Sequence, residues 1–422
     1  MYNEIFNQIE WCFDWRTDPA NCFGAPAKME EIGFWDEIDL NDDDDLAAMI
    51  RLGLRAMQFS MDREKEPNAD FIKYLISKGF DINTTVPGGE CILLQAVNKH
   101  LSPLMIQKLV ELGADPCAEN SSGDNILIQA AKQEYDAEEE EEKGAMGIYV
   151  VEHFDQVPLD TPDRYGITPL MYAAMFNHIL LAKALIAHGS DVNAAGTQPI
   201  GGNSYWIKME GVTPLALACR SGSVEIAKLL LEAGADETLR DAKGKAPIFS
   251  LLRYPHNFRI NSRIDDPIYG RKCEILSLLK ELELTDEDGY TALMRSMQDS
   301  KDPFDEASAY SNNLPITQAL IKQGANVEAT GNDGRRPLHL AVQALGDVHK
   351  SLIKAGAELN VQDSDGNTPL LIACQRCDET IVRYLIKAGA DVTIQNNKGK
   401  TAMELCSERG FNSAIELMMG QM

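Results

Sequence analysis

No run of the chain approaches the roughly 18 uncharged apolar residues that a membrane span requires. The opening stretch, MYNEIFNQIEWCFDW, lacks the basic start and apolar centre of a secretory leader. A cytoplasmic protein without membrane association is expected, with non-classical secretion left open. Catalytic signatures are missing as well: there is no GxxxxGK[ST] loop, no GxGxxG after a strand, no GxSxG and no HExxH. Nine cysteines in 422 residues is an odd and ordinary number, read as reduced thiols. Cys374 and Cys377 form a lone C-x-x-C within a predicted helix, with no second ligand pair at zinc-finger spacing. No enzyme activity, cofactor or metal is expected. A cysteine–histidine pair assembled by the fold is the one catalytic arrangement that sequence leaves open.

Positive charge is also short. Lysine and arginine number 39 against 65 acidic residues, a net charge of −26. The deficit is concentrated: residues 1–60 carry thirteen acids against four bases, and residues 134–163 carry eleven against one. Such a surface repels nucleic-acid phosphates and anionic lipid and favours a basic protein as charged partner. Neither direct nucleic-acid binding nor a small-molecule ligand is expected. The locally basic stretch around residues 254–270 (Arg253, Arg259, Arg263, Arg271 and Lys272 against Asp265 and Asp266) is too small for a nucleic-acid site. Asp42 to Asp45 lead into a helix start at Leu46, where acids complement the helix dipole. An EF-hand is excluded because Ala47 stands where the loop needs glycine.

What the chain does have is a repeating unit, cleanest at residues 367–399, NTPLLIACQRCDETIVRYLIKAGADVTIQNNKG. Thr368 and Pro369 start a first helix whose Leu370, Leu371 and Ala373 are apolar. Ile381, Val382, Leu385 and Ile386 place an i, i+3, i+4 stripe on a second helix, which Gly389 ends. The apolar anchor recurs as Leu93, Leu127, Leu170, Leu215, Ile248, Leu293, Leu338, Leu370 and Met403. Its spacings are 34, 43, 45, 33, 45, 45, 32 and 33 residues. A period near 33 with four intervals lengthened by 10–12 residues is a repeat array carrying insertions. With a looser unit closing at Gly79, about ten repeats are expected from Leu46 onward. The buried positions of this pattern include Cys91, Cys219, Cys374 and Cys406, where a thiol behaves as a small hydrophobe.

The Thr-Pro-Leu starts at Thr168, Thr213 and Thr368, the Arg336-Pro337-Leu338-His339 variant, and the Gly-Ala-Asp closures at Gly113, Gly234 and Gly389 resemble the ankyrin-repeat family. The resemblance covers roughly nine-tenths of the chain and implies an all-α ankyrin-repeat solenoid of helix pairs joined by finger turns. It further implies that His339 links neighbouring repeats by hydrogen bonds. Two units depart from the pattern and are expected to be less regular: that from Asn125, which closes with residues 155–159, and that from Ala246, which closes with Leu282, Glu283 and Leu284. Residues 1–45 do not match the repeat and are expected to cap residues 46–422, which end in a fingerless capping unit of helices around 403–408 and 414–419. Insertions are expected between the two helices of a repeat at about 60–69, 134–145, 254–270 and 299–313, and in a finger at 196–211.

The resemblance implies that a partner protein binds the concave face, formed by finger residues beside the turn and residues near the end of each first helix. At those positions stand Arg164, Tyr165, Ile167, Met175, Phe176, Met209, Val212, Arg253, Tyr254 and Tyr290, and the finger insertion adds Tyr205 and Trp206. Aromatics and methionines rimmed by charge have the composition of an interface core. The expected function is binding, with inhibition or neutralisation of a basic partner as its sharper form. The alternative is an effector or regulatory subunit whose array recruits a target to an activity carried by the N-terminal segment or by a partner.

Overall fold

The computed structural model describes residues 29–30, 44, 46–47, 49–51, 53–54, 69–86, 88–132, 145–197, 210–253, 267–298, 313–344 and 346–420. These fall into two units, one of residues 1–191 with 196–209, the other of residues 192–195 with 210–422. Within each, the architecture is helical: an isolated bridge between Thr285 and Thr291 is present, and no strand occurs among the described residues.

The first unit runs from helical residues within 44–54 to α1 (Asp70–Ser77). Three helix pairs follow: α2 (Ile92–Asn98) with α3 (Pro103–Glu111), α4 (Ile126–Ala131) with α5 (Ala145–His153), and α6 (Pro169–Phe176) with α7 (Ile179–Ala187). The second unit holds six: α8 (Pro214–Ser221) with α9 (Val224–Glu232), α10 (Pro247–Ser250) with α11 (Pro267–Leu278), α12 (Ala292–Arg295) with α13 (Leu314–Lys322), α14 (Pro337–Ala341) with α15 (Val348–Lys354), α16 (Pro369–Arg376) with α17 (Glu379–Ala388), and α18 (Ala402–Glu408) with α19 (Asn412–Met419). The pairing matches the expected repeats. One boundary differs: helix resumes at Pro267, so residues 267–270 are helical and do not belong to an insertion.

Local chemistry explains where first helices begin. The hydroxyls of Thr168, Thr213, Thr291 and Thr368 accept from backbone N–H groups three residues on, at 3.3–3.4 Å. Asn125 replaces threonine without loss, accepting from Leu127 and Ile128 at 3.0 and 2.9 Å. Thr401 and Glu404 form a reciprocal capping box. Eight of the nine apolar anchors are buried, each such side chain contributing about 1.5–3 kcal/mol by leaving water. The exception is Met403, half-buried in the last described pair, where no further first helix packs against it among the described residues.

Two kinds of hydrogen bond tie neighbouring repeats within each unit. At the finger base, a side-chain acceptor of one repeat takes the backbone N–H that follows the next repeat's closing turn. In the first unit Asn83 takes that of Asp115 at 2.8 Å and Asp160 that of Asp191 at 3.1 Å. In the second, Asn193, Glu237, Glu283, Glu328 and Asn360 do the same for Asp236, Lys280, Asn326, Glu358 and Asp391 at 2.8–2.9 Å. The irregular closures thus keep the linkage with substituted residues. At the finger tips, backbone bonds run from Ser121 to Gly88, Arg164 to Ser122 and Thr197 to Gly166 (3.0, 2.9 and 3.3 Å). In the second unit they run from Ala242 to Glu210, Asn332 to Asp288, Ser364 to Asp333 and Asn397 to Asp365 (2.9–3.1 Å).

The unit from Ala246 departs most. Its first helix, α10, has four residues, and the following turn is held by Lys272, a buried lysine whose ammonium donates to the carbonyls of Leu251, at 3.1 Å, and Arg253. A buried ammonium is tolerated only when such acceptors replace its water.

Candidate protein-binding surface

The fingers and first helices build one face of each unit, and its chemistry follows from a spacing of eight residues. A finger residue reaches the side chain eight positions later, near the end of the first helix. Asn98 donates to Glu90 at 2.7 Å, Lys132 pairs with Asp124 at 2.5 Å, Gln375 donates to Asn367 at 3.2 Å, and Lys400 pairs with Glu408.

In the first unit further contacts of these pairs reach the neighbouring repeats. Gln129 donates to Asn98, and Lys132 lies 2.9 Å from Asp163 in the next finger. Asp163 is buried: its Oδ1 accepts from the backbone of Tyr165 and Ile167 at 2.9 and 3.0 Å, and its Oδ2 from the Tyr172 hydroxyl at 2.7 Å. Burial and that carboxylate push the Tyr172 phenol far above its ordinary pKa, so it remains a donor. The Lys132 ammonium sits 5.1 Å over the Tyr172 ring and 5.9 Å over Tyr165, while the Arg164 guanidinium lies 4.9 Å over Tyr165. Tyr172 stacks on Phe176 at 5.9 Å. Cation–π contacts of this kind are worth about 0.5–2 kcal/mol.

Five expected contact residues are described in this unit. Arg164 is exposed, and Tyr165, Met175 and Phe176 are half-buried. Ile167 is not available as surface: at 7% exposure it packs beneath the finger that Asp163 folds. Tyr205, Trp206, Met209 and Tyr254 lie outside the described residues.

In the second unit Val212 and Arg253 are half-buried. Tyr290, expected at the surface, is 4% exposed. Its hydroxyl donates to Asp333 of the following finger at 2.6 Å, and the Arg295 guanidinium lies 4.6 Å over its ring. Burial, followed by the Asp333 bond, raises its pKa to about 12. Arg295 bonds Asp286 at 2.5 Å, Gln298 at 2.8 Å, and Asp288. Tyr290 is thus a strut between fingers. Lys132, Asp124, Asp163, Tyr172 and Arg295 are not singled out by sequence reasoning; the eight-residue spacing would have found the first pair.

His339 is fully buried and, as the resemblance implies, links neighbouring repeats. Its Nδ1 accepts from the Arg336 backbone at 3.0 Å, and Nε2 faces the carbonyls of Val361 and Asn367 in the next repeat at 3.0 and 3.1 Å. Cys91, Cys219, Cys374 and Cys406 are buried. Cys377 stands outside α16, exposed at its left-handed C-terminal cap rather than within a helix. Among the described residues no cluster of three His, Cys, Asp or Glu could hold a metal ion, and no helix is long and apolar enough to cross a membrane.

Stacked helix pairs with fingers bonded tip to tip define a helical repeat protein. The family model for ankyrin repeats (3 copies) matches residues 93–196, 148–241, 268–363 and 344–421, together more than half of the sequence, and the chain belongs to the ankyrin-repeat family. It is similar to Rabankyrin-5 of Mus musculus, 30% identical over 167 residues, covering 40% of this chain and 12% of that protein. It is also similar to Inversin of Homo sapiens, 28% identical over 229 residues (52% of this chain, 18% of that protein). Palmitoyltransferase AKR1 of Lachancea kluyveri is 31% identical over 182 residues (41% and 21%). The chain thus spans a fifth or less of the length of its first relatives. Ankyrin repeats are in general protein–protein interaction modules.

Proposed function

We propose that this protein is a non-enzymatic cytoplasmic binding protein that holds a partner protein against its fingers and first helices, and that its acidity selects a basic partner, which it inhibits or neutralises. The observation carrying this reading is the platform around Tyr165. A half-buried tyrosine lies 4.9 Å from the Arg164 guanidinium and 5.9 Å from the Lys132 ammonium, in a repeat that also holds half-buried Met175 and Phe176, on a finger held by backbone and carboxylate bonds. Rigid aromatic anchors lose little entropy on binding and are the residues that dominate interface energies. The net charge of −26 supplies long-range attraction to a basic protein. In this reading residues 1–45 cap the first repeat: Met29 is fully buried, and Glu30 accepts from the Tyr74 hydroxyl of α1 at 2.9 Å and pairs with Lys78.

The test is affinity capture on the full chain with mass spectrometry at low and at moderate salt. The reading expects a basic protein whose capture weakens strongly with salt. Capture that is indifferent to salt, or of an acidic protein, contradicts the charge selection.

A further inference from the structure

Seven of the helices that end at a closing glycine share one buried layer. Each has a buried leucine four residues before the glycine, and a second core position three residues before that leucine. Ile72, Ile106, Ala182, Ala227 and Val382 fill the second position in α1, α3, α7, α9 and α17, all fully buried. In α13 it is Thr317, whose hydroxyl is bonded to Ser296 at 2.8 Å and to the Asn313 carbonyl at 2.9 Å. In α15 it is His349, 1% exposed, and neither of its ring nitrogens has a hydrogen-bond partner among the described residues. The ring meets Tyr384 of α17 edge-on, with centroids 5.4 Å apart.

The carboxylates around it are engaged elsewhere. Asp347, at the start of α15, pairs with Lys350 at 2.9 Å. Asp378 accepts from the Ile381 backbone at 3.0 Å to cap α17, and Glu379 pairs with Arg383 at 2.6 Å. The titratable groups of α13 and α14, which also pack on α15, are Lys322 and His339, the latter facing carbonyls of the next repeat. Burial outweighs Asp347 and Asp378 and holds His349 below its ordinary pKa. A neutral imidazole is tolerated in such a layer at modest cost. An imidazolium there is a desolvated charge without an acceptor.

We propose that His349 is a pH-sensitive weak point built into the core of the array. Its protonation opens the seam between α15 and α17 and frees the repeats beyond it, while the earlier helix pairs of the unit stay folded. Because the closed form resists the proton, it is favoured in full above a pH of about 6.5 and loses ground as pH falls below that value.

Hydrogen–deuterium exchange of the full chain tests this, read by mass spectrometry at pH 7.5 and 5.5 with exchange times scaled to the intrinsic rate. One group of ordinary pKa near 6.5 can raise the open population by at most about tenfold over this interval. A rise of about three- to tenfold is expected in the amides of α15 and α17, with none in α9 of the same unit. His349→Val, which installs the residue type that α17 has at this position, should remove the response. His349→Gln should remove it too, and it keeps the side chain polar, so a fold disturbed by valine does not decide the result. A response retained in His349→Gln, or one equally large in α9, overturns the proposal.

Discussion

Lys132 and Asp163 belong to successive repeats and meet at 2.9 Å, with the Asp163 side chain wholly buried and Lys132 about a quarter exposed. The pair fastens the end of one first helix to the next finger. It thereby fixes the Tyr165 ring, whose backbone N–H is held by the same carboxylate. The proposed interface and the scaffold share hydrogen bonds in this unit.

Replacing Asp163 by alanine removes the acceptor for two backbone N–H groups, the Tyr172 hydroxyl and Lys132 together. A loss of about 3–5 kcal/mol in urea unfolding is expected, because a buried hydroxyl and two backbone N–H groups lose their acceptor while half-buried Lys132 loses one of its two carboxylates. Asp124→Ala, which leaves Lys132 its bond to Asp163, should cost clearly less.

Gly166 and Gly389 separate two reasons for glycine. Both have positive φ, +77° and +100°, so alanine at either is strained by about 1–2 kcal/mol. A Cβ on Gly389 meets open space, whereas one on Gly166 would lie 2.2 Å from the Thr197 carbonyl oxygen. Gly166→Ala should therefore depress Tm several degrees more than Gly389→Ala in parallel calorimetric scans.

Stability should fall on mild acidification. Burial lowers the pKa of His339, which faces Asp363 and Arg335, and of His349, which packs edge-on against Tyr384 near Asp347, Lys350 and Asp378. The unfolded state then binds more protons than the folded one. This stability is complete above the unfolded pKa of roughly 6.5 and is lost as pH falls below it. Thermal unfolding between pH 7 and 5 should show a Tm decrease that is reduced in His349→Gln. A decrease of equal size in that variant would assign the titration elsewhere.

The repeat period, the helix pairs, the threonine caps and the buried cysteines were legible in the sequence because each is set within one repeat, by a local spacing or a capping side chain. The fate of Ile167 and Tyr290 was not. Both sit at finger positions that sequence assigns to the surface. Ile167 lies in the finger that Asp163 folds, and Asp163 is in turn held by Tyr172 nine residues on, while Tyr290 is held by Asp333, forty-three residues away. The role of Lys132 was hidden for the same reason, since its second carboxylate comes from the following repeat.

The central claim is that the Tyr165 platform binds a protein rather than serving only as packing. Partner affinity and Tm should be measured side by side for wild type and Tyr165→Ala/Trp206→Ala. The account expects at least a tenfold weaker complex with Tm within about 2 °C of wild type. Unchanged affinity, or a large loss of Tm that accounts for any weakening, would contradict it.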